Sequence, residues 1–282
     1  MAVVGRPEVE ARRAAANPGL KFLQRLGYVV RGVLYVTMGV LALRIALGKP
    51  GGHATDLTGS LVYLIQNPFG MWLLFVAIVG LAAYSLWGII RAVFDPLHRG
   101  SDPSGYMERL GFLSSATSYG ALAFFGLQVL IGARPASSGG DSTQKSLVAL
   151  FNHPAGGLLT TGVGAVAIAI GIGQFTEAYR ARFENDLKGA EMTNTERDVA
   201  VALGRFGMFS RGVIFTIIGW FVLQAGLHHD PSQVQGFGGA FTFLLSNPFG
   251  PWLLGIVALG LIALGFHSFA CARWVRLMGS SS

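Results

Sequence analysis

Long apolar runs alternate with short polar segments along this chain. Residues 69–90, 110–133 and 154–176 contain no Asp, Glu, Lys or Arg, and each exceeds the roughly 20 apolar residues a helix needs to cross hydrocarbon. Three more runs qualify with an interruption. Residues 26–47 hold Arg31 and Arg44, residues 206–227 hold Arg211, and residues 249–272 include His267. The pattern predicts an all-α, polytopic membrane helix bundle of six transmembrane helices.

Between the first and second spans, and again between the fifth and sixth, lies a shorter apolar pattern. Leu57, Leu61, Leu64 and Ile65 fall on one helical face, as do Phe237, Phe241, Leu244 and Leu245. Each segment is long enough to lie at the interface and too short to cross. Asn-Pro-Phe-Gly then ends it, since proline cannot continue the preceding helix. Asn17-Pro18 and Asp102-Pro103 put a capping residue before a proline at the first helical position, and Thr193 with Glu196 reads as a capping box.

The pattern repeats. At an offset of 180, Gly27, Arg31, Gly32 and Gly39 match Gly207, Arg211, Gly212 and Gly219. Asn67-Pro68-Phe69-Gly70 with Trp72 matches Asn247-Pro248-Phe249-Gly250 with Trp252. A third, more diverged copy lies between them. Arg109-Leu110-Gly111 echoes Arg25-Leu26-Gly27, Asn152-His153-Pro154 echoes Asn67-Pro68 with one residue inserted, and Asp141 stands where Asp56 does. Ser115 replaces the arginine in this copy, and in the third copy Gly236 replaces the aspartate. The predicted organisation is an N-terminal segment (1–18), repeat 1 (19–99, spans about 26–47 and 69–93) and repeat 2 (100–180, spans about 110–133 and 154–178). A connector (181–205), repeat 3 (206–276, spans about 206–227 and 249–273) and a tail (277–282) follow. A two-helix unit returns the chain to the side it left, so the three copies are parallel repeats. A pseudo-threefold ring is the natural arrangement, and the sequence leaves a linear row open.

Composition agrees. Apolar residues make up 52% of the 282 and charged residues 12%, about half the charged share of a soluble domain. Forty glycines suit helices that approach closely in lipid. The net charge of +7 is explained by topology and not by nucleic acid, because 17 of the 21 Lys and Arg lie on the side of the termini. The positive-inside rule makes both termini cytoplasmic, in a plasma or inner membrane. The first twenty residues are too polar for a secretory signal, and Cys271 alone excludes an internal disulfide framework.

Arg-Leu-Gly and Arg-Gly in the odd spans, an Asp-bearing short helix, Asn-Pro-Phe-Gly and a Trp-Leu-Leu run together resemble a bacterial membrane-protein family. That family has three tandem two-helix repeats and is catalogued as a domain of unknown function. The resemblance covers about residues 19–276 and implies the architecture, with no activity or site.

Candidate chemistry is sparse. Arginine within a span costs roughly 2.5–3.5 kcal/mol at the helix centre on insertion scales. Arg31 and Arg211 therefore either snorkel to the cytoplasmic headgroups or point into a central cavity and bind an anionic headgroup or solute. Arg44, Gln128 and Gln224 share one repeat position and serve either interhelical hydrogen bonding or a polar ring that contacts ligand. Asp56 and Asp141 read as structural caps of the short helices; a proton relay would need an intramembrane acidic partner that the sequence lacks.

Other motifs fail their context. His53, His153, His228 and His229 with Asp230 lack metal-ligand spacing, and His267 has no second histidine within a span to share a haem, so neither metal nor cofactor is expected. Gly162-Val-Gly164 and Gly171-Ile-Gly173 sit in an apolar span without a preceding strand, which rules out a dinucleotide loop and leaves small-residue packing. The mixed-sign stretch 180–205 reads as a solvated helical connector that could dock a cytoplasmic partner. With no nucleophile–base pair, acidic dyad or phosphate loop, no catalytic residue is assigned. The expectation is a non-catalytic accessory or scaffold component of a larger membrane complex that binds lipid or another hydrophobic molecule. The alternative is a small transporter or channel using a cavity between the repeats.

Overall fold

The six apolar runs all form helices. The computed structural model describes residues 18–49, 56–66, 68–94, 103–133 and 142–275. Repeat 1 comprises α1 (Pro18–Ala46), α2 (Leu57–Ile65) and α3 (Gly70–Phe94). Repeat 2 comprises α4 (Pro103–Leu130), α5 (Ser142–Leu150) and α6 (Gly156–Arg180), and repeat 3 comprises α7 (Asn194–His228), α8 (Phe237–Leu245) and α9 (Gly250–Trp274). The six long helices α1, α3, α4, α6, α7 and α9 are long and apolar enough to cross a membrane. Among the described residues no strand forms; a single antiparallel bridge joins Leu187 to Val275.

Local chemistry sets the helix ends. Asp56 accepts from the Gly59 amide at 2.8 Å and caps α2, whereas Gly236 caps α8 with no side chain to offer. Asp141, Asn17, Asn67 and Asp102 lie outside the described residues. The glycine that opens each even span stands where a Cβ would run into the backbone carbonyl of Ile65, Leu150 or Leu245. Only Gly70, Gly156 and Gly250 therefore allow the short helix to fold back so tightly. The short helices do more than rest at an interface: Leu61 and Phe241, matching residues of α2 and α8, are 1% exposed and join the main core.

The spans close into a ring. Each odd span packs on the even span of the preceding repeat: α4 on α3, α7 on α6, and α1 on α9. The last of these contacts excludes a linear row. All three interfaces use the same repeat positions. A Cβ on Gly32 would come within 2.9 Å of the Gly265 carbonyl, and one on Gly212 within 3.1 Å of the Gly171 carbonyl. At the matching site between repeats 1 and 2, the Ser85 hydroxyl donates to the Ala116 carbonyl at 2.7 Å. Small residues let these backbones meet, as expected where lipid supplies no hydrophobic drive between helices.

Within the repeats the symmetry breaks. The spans of repeat 1 pack together, as do those of repeat 3. A Cβ on Gly27 would lie 2.7 Å from both the Gly80 carbonyl and Tyr84, and one on Gly207 would lie 2.6 Å from Leu264. Gly111, the same position in repeat 2, has nothing within 4 Å. Among the described residues, α4 and α6 lack the extensive packing that joins the two spans of the other repeats. Val166, where repeats 1 and 3 carry Gly80 and Gly260 against the partner span, is 59% exposed. Only 17% of the apolar window of α6 and 33% of that of α4 is buried, against 56% for α1 and for α9. The ring has five closed seams and one open one.

The connector differs from the sequence expectation. The helix that carries the fifth span begins at Asn194 and runs for 35 residues, its start set by the Thr193–Glu196 capping box, so the polar stretch 194–205 of the connector is the first part of α7. Residues 181–191 fold beneath the bundle in two short 3-10 turns. Leu187 is buried, and Phe183 fills the space beside Gly204 and stacks edge-on with His267 at 4.8 Å. Apolar Phe183 and Leu187 explain why this stretch is not wholly solvated. Its exposed charges do pair, Arg197 with Glu184 and Lys188 with Glu191.

Candidate functional site at the ring axis

One face of α1 carries Gln24, Tyr28, Arg31, Tyr35, Met38 and Ala42, spaced as a helix stripe demands. The same stripe on α4 and α7 puts Ser115 and Arg211 level with Arg31, and Tyr119 and Phe215 level with Tyr35. These layers meet at the axis. The Tyr119 and Tyr35 hydroxyls are 3.3 Å apart across 84 residues of sequence. Among the described residues the odd spans make no extensive backbone contact with one another, and long side chains bridge the space.

Arg31 turns into this layer. Its guanidinium donates to the Tyr84 hydroxyl at 2.7 Å. It also lies over the rings of Tyr35, Tyr84 and Tyr119, 5.6, 5.5 and 5.9 Å from their centroids. Arg211 stacks on Phe215 at 5.2 Å, and the charges of both arginines reach the Tyr35 and Tyr119 hydroxyls. Snorkelling of Arg31 to the headgroups is thereby corrected: an aromatic cage and a phenolic acceptor hold the cation inward. Arg211, half-buried in the same layer, likewise has its Nε out of solvent reach. Cation–π contacts contribute about 0.5–2 kcal/mol each, which offsets part of the insertion cost.

The cage leaves polar valence unfilled. Among the described residues neither arginine forms an ion pair, and the Nε atoms of Arg31 and Arg211 are buried without an acceptor. Gln24, 1% exposed and on the same stripe, has no partner for either amide atom. Beyond the tyrosines toward the other side of the membrane, the axis is apolar: Met38, Leu122, Ile218, Ala42 and Val222 are all buried.

The other sequence-selected residues do not join this site. Arg44 is thirteen residues past Arg31, about 220° round the helix, so Arg44, Gln128 and Gln224 face away from the axis. They are half-buried, and among the described residues no hydrogen bond joins one of these three side chains to another; the Gln224 carbonyl faces His228 Nδ1 at 2.9 Å. Asp56 is buried in its capping role. Asp230 is engaged by Ser232 and Gln233, so its carboxyl sits below the usual range. His53 lies outside the described residues. Of the paired glycines, Gly164 and Gly171 pack on α7 whereas Gly162 and Gly173 face open space. The sequence reading missed Tyr35, Tyr84 and Tyr119. The recurrence of an aromatic four residues after Arg31, Ser115 and Arg211 is the signal that would have found the layer's tyrosines.

Six apolar spans arranged as three tandem hairpins around an axis define a multi-pass membrane protein of the tandem-repeat type. The chain belongs to the family described as Domain of Unknown Function (DUF1206), whose model matches three times, at residues 26–95, 110–181 and 206–275. It is also similar to the uncharacterized protein YxxB of Bacillus subtilis (strain 168), 34% identical over 252 residues, covering 89% of this chain and 90% of that one. No solved structure matches the chain significantly.

Proposed function

We propose that this protein is a non-catalytic, lipid-binding component of a membrane assembly, which holds a lipid or similar hydrophobic molecule in the open seam between α4 and α6. The seam itself carries the reading. Five interfaces of the ring are closed by small residues meeting backbones, and the sixth is left apart with its apolar wall unburied. An acyl chain fits such a gap because it presents only apolar surface to Val163 and Val166 of α6, exposed here although the matching Ala77 and Val257 are buried and Gly80 and Gly260 pack against the partner span. The charge distribution supports placing the termini in the cytoplasm and the protein in the plasma or inner membrane.

The transport alternative needs a polar path from face to face. The tyrosine layer is followed by buried Met38, Leu122, Ile218 and Val222, which weighs against it. Native mass spectrometry of the mildly solubilised protein separates the two. Stoichiometric lipid or a stoichiometric protein partner is expected. A protein that flies alone, and drives a proteoliposome flux abolished by Arg31→Ala, would establish the transporter instead.

A further inference from the structure

We infer that Arg31 and Arg211 form a binding site for a phosphate group, reached sideways from the bilayer between α4 and α6. The inference rests on the lipid-binding reading above and adds the chemistry of the head. Two guanidiniums from different helices share one layer of the axis with no described carboxylate paired to either, and each keeps a buried, acceptorless Nε. Positive charge held at this depth in a low-dielectric setting calls for an anion.

Phosphate suits the arrangement better than carboxylate. A carboxylate is satisfied by one guanidinium fork, whereas a tetrahedral phosphate offers separate oxygen pairs to two forks approaching from two sides. The Tyr35 and Tyr119 hydroxyls in the same layer and the unpartnered amide of buried Gln24 two turns away provide further donors.

The open seam is built for a polar head to pass. Where repeats 1 and 3 bury Leu34 and Ile214, both 0% exposed, repeat 2 has Ser118; where they bury Val30 and Ser210, it has Ser114. Both serines are exposed, and Ser118 donates back to the Ser114 carbonyl at 2.9 Å. Ser115 replaces the third arginine on the same helix. The helix beside the gap thus carries an exposed hydroxyl at Ser118 where both other repeats bury an aliphatic side chain, exposes at Ser114 the position they bury, and lacks the one residue that would crowd the layer with a third cation. A lipid whose phosphate slides past Ser114 and Ser118 to Arg31 and Arg211 leaves its chains in the apolar gap.

The experiment uses the full chain in mild detergent, exposed separately to vesicles carrying phosphatidic acid or diacylglycerol of identical chains, and to inorganic phosphate. Native mass spectrometry reads retained lipid and thermal unfolding reads phosphate. The wild type is expected to retain phosphatidic acid roughly tenfold over diacylglycerol, and the Arg31→Gln/Arg211→Gln double variant to lose that preference. Should the double variant fail to fold, Arg31→Lys/Arg211→Lys, which keeps charge but not the fork, is expected to weaken the preference severalfold. Ser118→Trp is expected to block phosphatidic acid while leaving stabilisation by inorganic phosphate intact. Equal retention of the two lipids in every variant would overturn the phosphate site and leave lipid binding standing. Stabilisation by inorganic phosphate that needs both arginines, with no lipid retained, would uphold the site and overturn the lipid reading. No response to either probe would overturn both.

Discussion

Repeats 1 and 3 keep their two spans in contact through Gly27 and Gly207, while repeat 2 carries the same glycine at Gly111 and leaves it facing nothing. The glycine is thus retained after the contact it serves is gone, and the surrounding positions tell the rest. Leu34 and Ile214 are sealed between spans, but Ser118 is exposed. What closes a hairpin in lipid is the combination of a small residue for close approach and apolar neighbours for packing. Repeat 2 keeps Gly111 but has Val166 in place of the facing glycine and Ser118 in place of the aliphatic neighbour. The difference between the repeats also places the charges: two arginines and one serine around an axis make an asymmetric layer, with its weak side on the helix beside the gap.

The repeats differ most at the glycines. Gly27→Leu or Gly207→Leu forces side chains into the Gly80 carbonyl and Tyr84, or into Leu264, and is expected to cost about 2–3 kcal/mol or to prevent folding. Gly111→Leu should stay within about 0.5 kcal/mol. Unfolding of the three variants in detergent checks the ordering, and equal losses would mean repeat 2 is closed as well. A smaller effect is expected at Tyr84→Phe, which removes the acceptor of Arg31. Hydrogen bonds to charged groups contribute about 1.5–3 kcal/mol, so a loss near the lower end is expected, and it should vanish in an Arg31→Met background. A double-mutant cycle measures that coupling. Leu264, the matching residue of repeat 3, offers no such bond, and Leu264→Phe should show no coupling to Arg211. Smallest of all, Asp56→Ala is expected to cost about 1 kcal/mol by uncapping α2, whereas Gly236→Ala removes no side-chain hydrogen bond from α8. A melting series of the two variants tests this.

Much of the architecture is legible in the residues, because the bilayer demands long uninterrupted apolar helices and a repeated glycine pattern registers them without ambiguity. Ring and row read alike in sequence because the contact that closes repeat 3 on repeat 1, Gly32 against Gly265, joins residues more than two hundred positions apart and looks the same in either case until the helices are placed. Arg31 was harder. Snorkelling and inward-facing arginine carry the same sequence signature, and only Tyr84, fifty-three residues on, decides between them. Arg44, Gln128 and Gln224 mislead for the opposite reason: shared register shows common ancestry of position, while angle about the helix determines which way a side chain faces. The start of α7 is legible in the Thr193–Glu196 capping box, whereas the burial of Phe183 and Leu187 is not, because two apolar residues in a polar stretch show nothing of what they pack against until the bundle is placed.

The open seam is tested most directly by distance measurement in lipid nanodiscs, with paired spin labels in a Cys271→Ser background at the matching exposed positions Val40 and Leu73, Phe124 and Leu159, and Trp220 and Leu253. Short, narrow distributions are expected for the first and third pairs, and a longer, broader one for Phe124 with Leu159, narrowing when phosphatidic acid is added. Three indistinguishable distributions would contradict the account.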